Sequence, residues 1–346
     1  MVPHRLRFDR NELSGAFGDL GTDLPLLVGM VLAAGLDAAS VLVVFGLAQV
    51  ATGLHYRLPM PVQPLKAVAV IVIAQQLSPD VIAGGGIAIG AVMLVLALTG
   101  SLEWLARVIP VAVVRGLQLG LGVQLTILAA GRYLPSLGTS GLALAGAASL
   151  IVVLLIGNRR FPPAPFVIAL GAAYALTWST SPASIAEGFG FALPSLRTPS
   201  VGDVVAGFIV LALPQLPLSL GNSILATERL THDLFPERAV GVRRIGTTYG
   251  LMNLVVPWLG GVPVCHGSGG LAGHHALGGR TGGSVVIYGG MILVAGLFFS
   301  EAFDSLVNIF PLPVLGVLLI VEGLALIVLL RTLPRRAPDG APRRDR

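Results

Sequence analysis

The chain has 346 residues, of which 54% are hydrophobic and 11% charged, with a net charge of +5 and a mean hydropathy of +0.86. A soluble domain is usually about 25% charged, so most of this surface must face something other than water. Cys265 is the only cysteine, which excludes an intramolecular disulfide and argues against a cysteine-based metal site. The basic residues sit in loops and tails, which is a topology signal and argues against nucleic acid as a partner.

Apolar stretches of about 20 residues recur from end to end, the pattern of an all-α polytopic membrane protein embedded in a lipid bilayer. The N-terminal MVPHRLRFDRNEL lacks the layout of a signal peptide, so the first span is expected to stay in the mature protein. Twelve segments are predicted: 12–34, 38–56, 63–77, 81–100, 105–130, 139–157, 164–180, 201–220, 240–260, 266–278, 283–300 and 306–330. Segments 63–77 and 266–278 are too short to cross about 30 Å of hydrocarbon as plain helices. Each follows a Pro-Val pair, at 61–62 and 263–264. With the N-terminus inside, 18 arginines fall on the cytoplasmic side and only Arg132 and Arg197 outside, which predicts cytoplasmic N- and C-termini. Arg115 and Lys66, the only lysine, lie within spans. The 228–244 stretch reads as a solvated connector, and a bacterial plasma (inner) membrane is the expected location.

A repeat is visible. Pro61-Val62-Gln63-Pro64 is echoed 202 residues on by Pro263-Val264-Cys265-His266, and Gly18-Asp19 is echoed 203 residues on by Gly221-Asn222. Seven segments separate the two starts, so the second unit is inverted. Inverted repeats with interrupted helices at matching positions are the pattern of secondary transporters, whose substrates bind at mid-membrane.

Four polar patches carry the candidate chemistry. In GAFGDLGTDLP (15–25), Asp19, Gly21, Thr22 and Asp23 interrupt the first helix. An intramembrane carboxylate costs about 2.5–3.5 kcal/mol on insertion scales, so it faces a cavity or a partner. A glycine packing motif with Asp19 capping a broken helix is the alternative. In PMPVQPLKAVAV (59–70), the prolines favour extended backbone, and a helix starting near Gln63 would present free N–H groups to an anion. Lys66 in that first turn is disfavoured by the helix dipole unless an anion arrives, or unless it pairs with Asp19 or Asp23. In LPQLPLSLGNSILATE (213–228), Gln215, Ser219, Asn222 and Ser223 offer neutral hydrogen-bonding groups, to substrate or between helices. In GGVPVCHGSGGLAGHH (260–275), Gly267, Ser268 and Gly269 leave room for an oxyanion at the backbone. His266 is read there as an anion donor, a proton carrier or a helix cap. A metal at His274 and His275 lacks supporting carboxylates, and no cofactor is expected. The two half-helix starts and the buried lysine together make a pocket for a compact anion, with tetrahedral oxyanions the natural candidates.

At FGDLGTDLPL, PMPVQPLKA, PQLPLSLGNSILAT and GVPVCHGSGGLAGHH the chain resembles the molybdate transporters related to the sulfate permeases. The resemblance runs from about residue 11 to about 330. It implies a seven-plus-seven inverted-repeat fold in which a core domain (1–100 and 199–300) moves against a gate domain (101–198 and a partial 301–333), followed by a basic tail (334–346). The fold implies fourteen segments where twelve are counted, so the last gate segments are expected to be missing. As in the molybdate branch, no soluble C-terminal regulatory domain is expected after the basic tail. The resemblance implies uptake of molybdate, with sulfate the closest competitor, and leaves a homodimer open. A dianion entering against an inside-negative potential costs about 2.3 kcal/mol per charge per 100 mV, so proton or cation coupling is expected. Asp19, Asp23, His266 and Glu322 are the titratable candidates. A broader sulfate permease and an anion channel are the alternatives. A nucleobase carrier is disfavoured by the 6% aromatic content. An enzyme built on Cys265 and His266 is disfavoured because neighbours on a helix do not face each other.

Overall fold

The first predicted helix is two helices, because the chain is pinched where they meet. In the computed structural model, which describes residues 5–108, 111–156, 163–179, 190–300 and 310–328, α1 (Arg10–Ala16) is capped by the Asp9 carboxylate and stops at Phe17. α2 (Leu20–Ala34) then starts afresh. Between them Gly18 lies against the backbone of Gly273 and His274, too close for any side chain. α3 (Ala38–Tyr56) opens on Asp37, whose side chain accepts from Ser40 N, and ends at Arg57 with φ 54°. Strand β1 (Gln63–Pro64) leads into α4 (Lys66–Gln75). α5 (Pro79–Thr99), α6 (Ser101–Val108), α7 (Val111–Leu128), α8 (Gly138–Leu155) and α9 (Pro163–Tyr174) follow.

The second half opens with α10 (Val201–Leu234), which carries π-helical turns at Phe208–Ala212 and Ser219–Leu225. Pro214 and Pro217 lie between the two turns and supply no amide hydrogen, so the wider turns accommodate the lost bonds. The helix does not stop near 220 as the sequence predicts. It runs through the first part of the 228–244 stretch, where Arg229–Asp233 (3.4 Å) and His232–Glu228 (3.3 Å) pair one turn apart on the exposed end. The expected connector is therefore confined to the turn before α11 (Val242–Val255). Strand β2 (Val264–Cys265) leads into α12 (Ser268–Ala276), followed by α13 (Gly283–Phe298) and α14 (Leu312–Val328). Among the described residues, Ala38–Tyr56, Pro79–Thr99, Arg115–Leu155 and Val201–Leu234 are long and apolar enough to cross a membrane.

At 1.5 Å per residue, α4 and α12 are each only about 15 Å long, half the hydrocarbon thickness. Their lead-in strands pair antiparallel, with Gln63 opposite Cys265 and Pro64 opposite Val264. Leu65 N also donates to Pro263 O (3.0 Å). Each strand is clamped from its own repeat by a fully buried side-chain amide. Gln49 on α3 accepts from Val62 N (2.9 Å) and donates to Val62 O (2.7 Å). Asn253 on α11 accepts from Val264 N (2.9 Å) and donates to Val264 O (2.6 Å). The inverted repeat suggested by sequence is thus present in detail, down to paired amide clamps.

The repeats interlock, with α3 packed along α13 and α11 along α5. Gly46 and Gly90 sit at these two contacts. A Cβ on Gly46 would lie 2.8 Å from Gly289 O, and one on Gly90 would lie 2.9 Å from Gly250 O. A second, smaller apolar cluster of Ala145, Ala148, Val152, Val167, Val314, Val317 and Leu318 joins α8, α9 and α14. α7 packs on α14 and also touches α4 and the proline-bearing part of α10.

The clamps predict a stability test. Gln49→Leu leaves the buried Val62 N–H and C=O unsatisfied, at about 1–3 kcal/mol for each group. It should lower the thermal midpoint in detergent well below that of Leu47→Ala, which trims a half-exposed side chain on the same helix. Equal midpoints for the two variants would contradict the clamp.

Candidate functional site

The starts of α4 and α12 meet beside the middle of α10, and a cavity of about 380 Å³ opens there. From α2 it receives Thr22; from β1 and α4, Gln63 and Lys66. From α10 it receives Gln215, Leu218, Asn222, Ser223 and Ala226; from β2 and the start of α12, Cys265, Gly267, Ser268 and Gly269. The remaining wall is α7, through Arg115, Gln118 and Leu121. Lys66 and Arg115 are both basic, and none of the described lining residues is acidic.

Most of the predicted contact residues converge here: Thr22, Gln63, Lys66, Gln215, Asn222, Ser223, Gly267, Ser268 and Gly269. Gly21 lies in the first turn of α2 and is not among the described lining residues. Asp19 and His266 do not line the cavity. Asp19 is buried behind it, where its Oδ1 accepts from Gln63 Nε2 (2.5 Å). Its other oxygen lies by Gly270, where a Cβ on that glycine would collide with it. The carboxylate thus sits by the first turn of α12, where the helix dipole favours negative charge.

His266 is fully buried, with Nδ1 3.2 Å from Pro61 O and Nε2 2.8 Å from Thr248 Oγ1. The reason is local geometry. Successive side chains of an extended segment point to opposite faces, and the cavity takes Cys265 and Gly267 but not the residue between them. The ring braces one lead-in strand against the other, rather than donating to an occupant of the cavity.

The start of α4 also differs from expectation. The sequence predicts free amides there, but Gln215 Oε1 accepts from Ala67 N (3.0 Å) and Val68 N (3.3 Å). Gln215 Nε2 in turn donates to Ser219 Oγ (3.0 Å), which is 2.7 Å from Tyr249 Oη. Gln215 therefore caps one half-helix as well as bordering the cavity. The N-cap of α12 is Gly267, which has no side chain of its own to cap the first turn, and Gly267, Ser268 and Gly269 border the open space.

Of the titratable candidates, Asp23 is fully buried and accepts from Tyr288 Oη (3.2 Å). The side chain of Glu322 lies outside the described residues. Among those residues no group of three or more histidines, cysteines or carboxylates could hold a metal ion. The lining residues that sequence reasoning did not assign are Arg115, Gln118, Leu121, Leu218, Ala226 and Cys265. Arg115 carried a usable signal, since a charge within a predicted span is by default a functional candidate.

A sequence profile described as "Molybdate transporter of MFS superfamily" matches residues 11–125 and 207–326. The chain belongs to the molybdate transporter family. It is 35% identical to "Molybdate transporter 2" of Arabidopsis thaliana over 91% of this chain and 78% of that protein. It is 32% identical to "Molybdate transporter 1" of the same plant, over 92% of this chain and 79% of that one. Its fold matches the transmembrane domain of a cyanobacterial bicarbonate transporter, BicA, with a TM-score of 0.70 at 16% identity, covering 95% of this chain and 92% of that one. The family's named members are transporters, not enzymes, and this member is an integral membrane protein that transports anions.

The cavity glycines give a sharp contrast. A Cβ at Gly267 would overlap the Gln63 amide, whereas one at Gly269 meets nothing within 4 Å. Gly267→Ala should displace Gln63, break its bond to Asp19 and lower the unfolding temperature. Gly269→Ala should unfold within error of wild type. Indistinguishable unfolding temperatures would contradict the packing described.

Proposed function

We propose that this transporter takes up molybdate by alternating access, coupled to protons, with the cavity between α4, α10, α12 and α7 as its binding site. The observation that carries the reading is a cavity with two basic side chains, abundant neutral donors and no acidic side chain among its described lining residues, at the meeting point of two half-helix starts. A tetrahedral dianion needs several donors and positive potential but little apolar surface. The α12 amides, Ser268, Thr22, Asn222 and Lys66 offer that set. The names of the relatives favour molybdate over sulfate. α1–α5 and α10–α13 are read as the moving core, and α6–α9 with α14 as the gate. The excess of arginine on one side supports cytoplasmic termini.

For coupling, Asp19 is the leading group. It is bonded to Gln63, which lines the cavity, so occupancy and protonation act through one hydrogen bond. The test is molybdate uptake into proteoliposomes at submicromolar concentration, with and without excess sulfate and with an imposed pH gradient. Saturable uptake that survives sulfate and responds to the gradient is expected. Lys66→Ala should cut uptake by about 10-fold or more, the value of a charge-assisted hydrogen bond. Uptake abolished by sulfate would move the assignment to a general sulfate permease, and non-saturating current to a channel. Indifference to the pH gradient would remove the proton.

A further inference from the structure

One wall of the cavity remains without a role. Arg115 and Gln118 lie one turn apart on α7, and Arg115 Nη1 donates to Gln118 Oε1 (2.8 Å). Gln118 is 0% exposed although the apolar helix around it, including Leu119 and Val123, is partly open to the outside. Both residues line the cavity, opposite the half-helix starts. Arg115 Nε and Gln118 Nε2 are buried donors with no hydrogen-bond partner among the described residues.

Unsatisfied buried donors of this kind are rare in native structures and call for an explanation. A guanidinium is always charged and presents a planar fork suited to two oxygens at once. The Gln118 carbonyl takes up one arm of the guanidinium, and Arg115 borders a space with no acidic side chain among its described lining residues. Placing such a pair in a membrane is costly unless an anion completes it.

We propose that Arg115, positioned by Gln118, is a second anion contact on the α7 wall, and that it selects doubly charged oxyanions over singly charged ones of the same shape. Lys66 and Arg115 reach the cavity from different elements, so a bound tetrahedral oxyanion bridges two cationic side chains. The bridge also ties α7, which packs on α14, to α4 and α12. This inference rests on the proposed site but adds a charge-selecting element to it.

The discriminating probe is a pair of tetrahedral anions of similar size that differ in charge, molybdate and perrhenate. Binding of each to purified protein in detergent is measured by calorimetry for wild type, Arg115→Gln and Gln118→Leu. Coulomb energy scales with the product of the charges, so the loss for the dianion should be about the square of the loss for the monoanion. Arg115→Gln should weaken molybdate by about 10- to 100-fold and perrhenate by only about 3- to 10-fold. Gln118→Leu should weaken molybdate less than Arg115→Gln does, because the charge remains. Unchanged affinities in Arg115→Gln, or equal losses for both anions, would overturn the inference and leave the molybdate assignment standing. Failure of wild-type protein to bind either anion would instead count against the site itself. If Arg115→Gln does not elute as wild type from a sizing column, Arg115→Lys takes its place. That variant should bind molybdate more weakly yet keep the preference for the dianion, and loss of the preference in folded protein would overturn the proposal.

Discussion

The structure depends on satisfying extended backbone inside a membrane. Hydrocarbon offers no hydrogen-bond partners, so non-helical chain at that depth must find them within the protein. Here the two extended segments find each other, through the antiparallel pairing of β1 with β2. Their flanking groups are taken up by Gln49, Asn253 and His266. Everything functional follows from that junction. Because the strands replace half of a spanning helix, α4 and α12 begin at the interior, and their first turns border the cavity. Small residues such as Gly46 and Gly90 let the surrounding helices close around the junction.

The two half-helix starts are not equivalent, and the difference has physical content. At α4 the amides of Ala67 and Val68 are occupied by Gln215, and the positive charge is supplied by Lys66 instead. At α12 the N-cap is a glycine with no capping side chain of its own, the glycines at 267 and 269 border the cavity, and the Asp19 carboxylate lies by Gly270. One repeat therefore offers the cavity a side-chain charge and the other a backbone surface. The inverted halves share a scaffold, while their contributions to the site have diverged.

Much of this was legible in the sequence because its signals are local. Proline pairs announce extended lead-ins, apolar runs too short to span announce half-helices, and a constant offset near 200 residues announces the repeat. Thr22, Gln63, Lys66, Asn222 and Ser268 were legible as a set for the same reason, being polar residues in apolar surroundings. What stayed hidden depends on contacts distant in sequence. The break at Gly18 is set by the backbone of Gly273, and the role of Gln215 as a cap is set by α4. Arg115 and Gln118 are two polar residues in an apolar helix, and only the packing of α7 against α4 and α10 brings them to the cavity. The orientation of His266 is the exception, because alternation along an extended strand could have been applied beforehand.

The clamps and the strand pair differ in reach along the chain, and this bears on biosynthesis. Gln49 is 13 residues from Val62 and Asn253 is 11 from Val264, whereas Gln63 and Cys265 are 202 apart. At about 5–20 residues per second of synthesis, β1 waits on the order of 10–40 s for its partner strand. During that interval the first repeat sits in or near the bilayer with an open strand edge. The Gln49 amide can engage Val62 as soon as α3 and β1 have both emerged, and so can hold the exposed segment in its final shape. The nascent chain thereby carries a placeholder within each repeat, and the junction itself closes last.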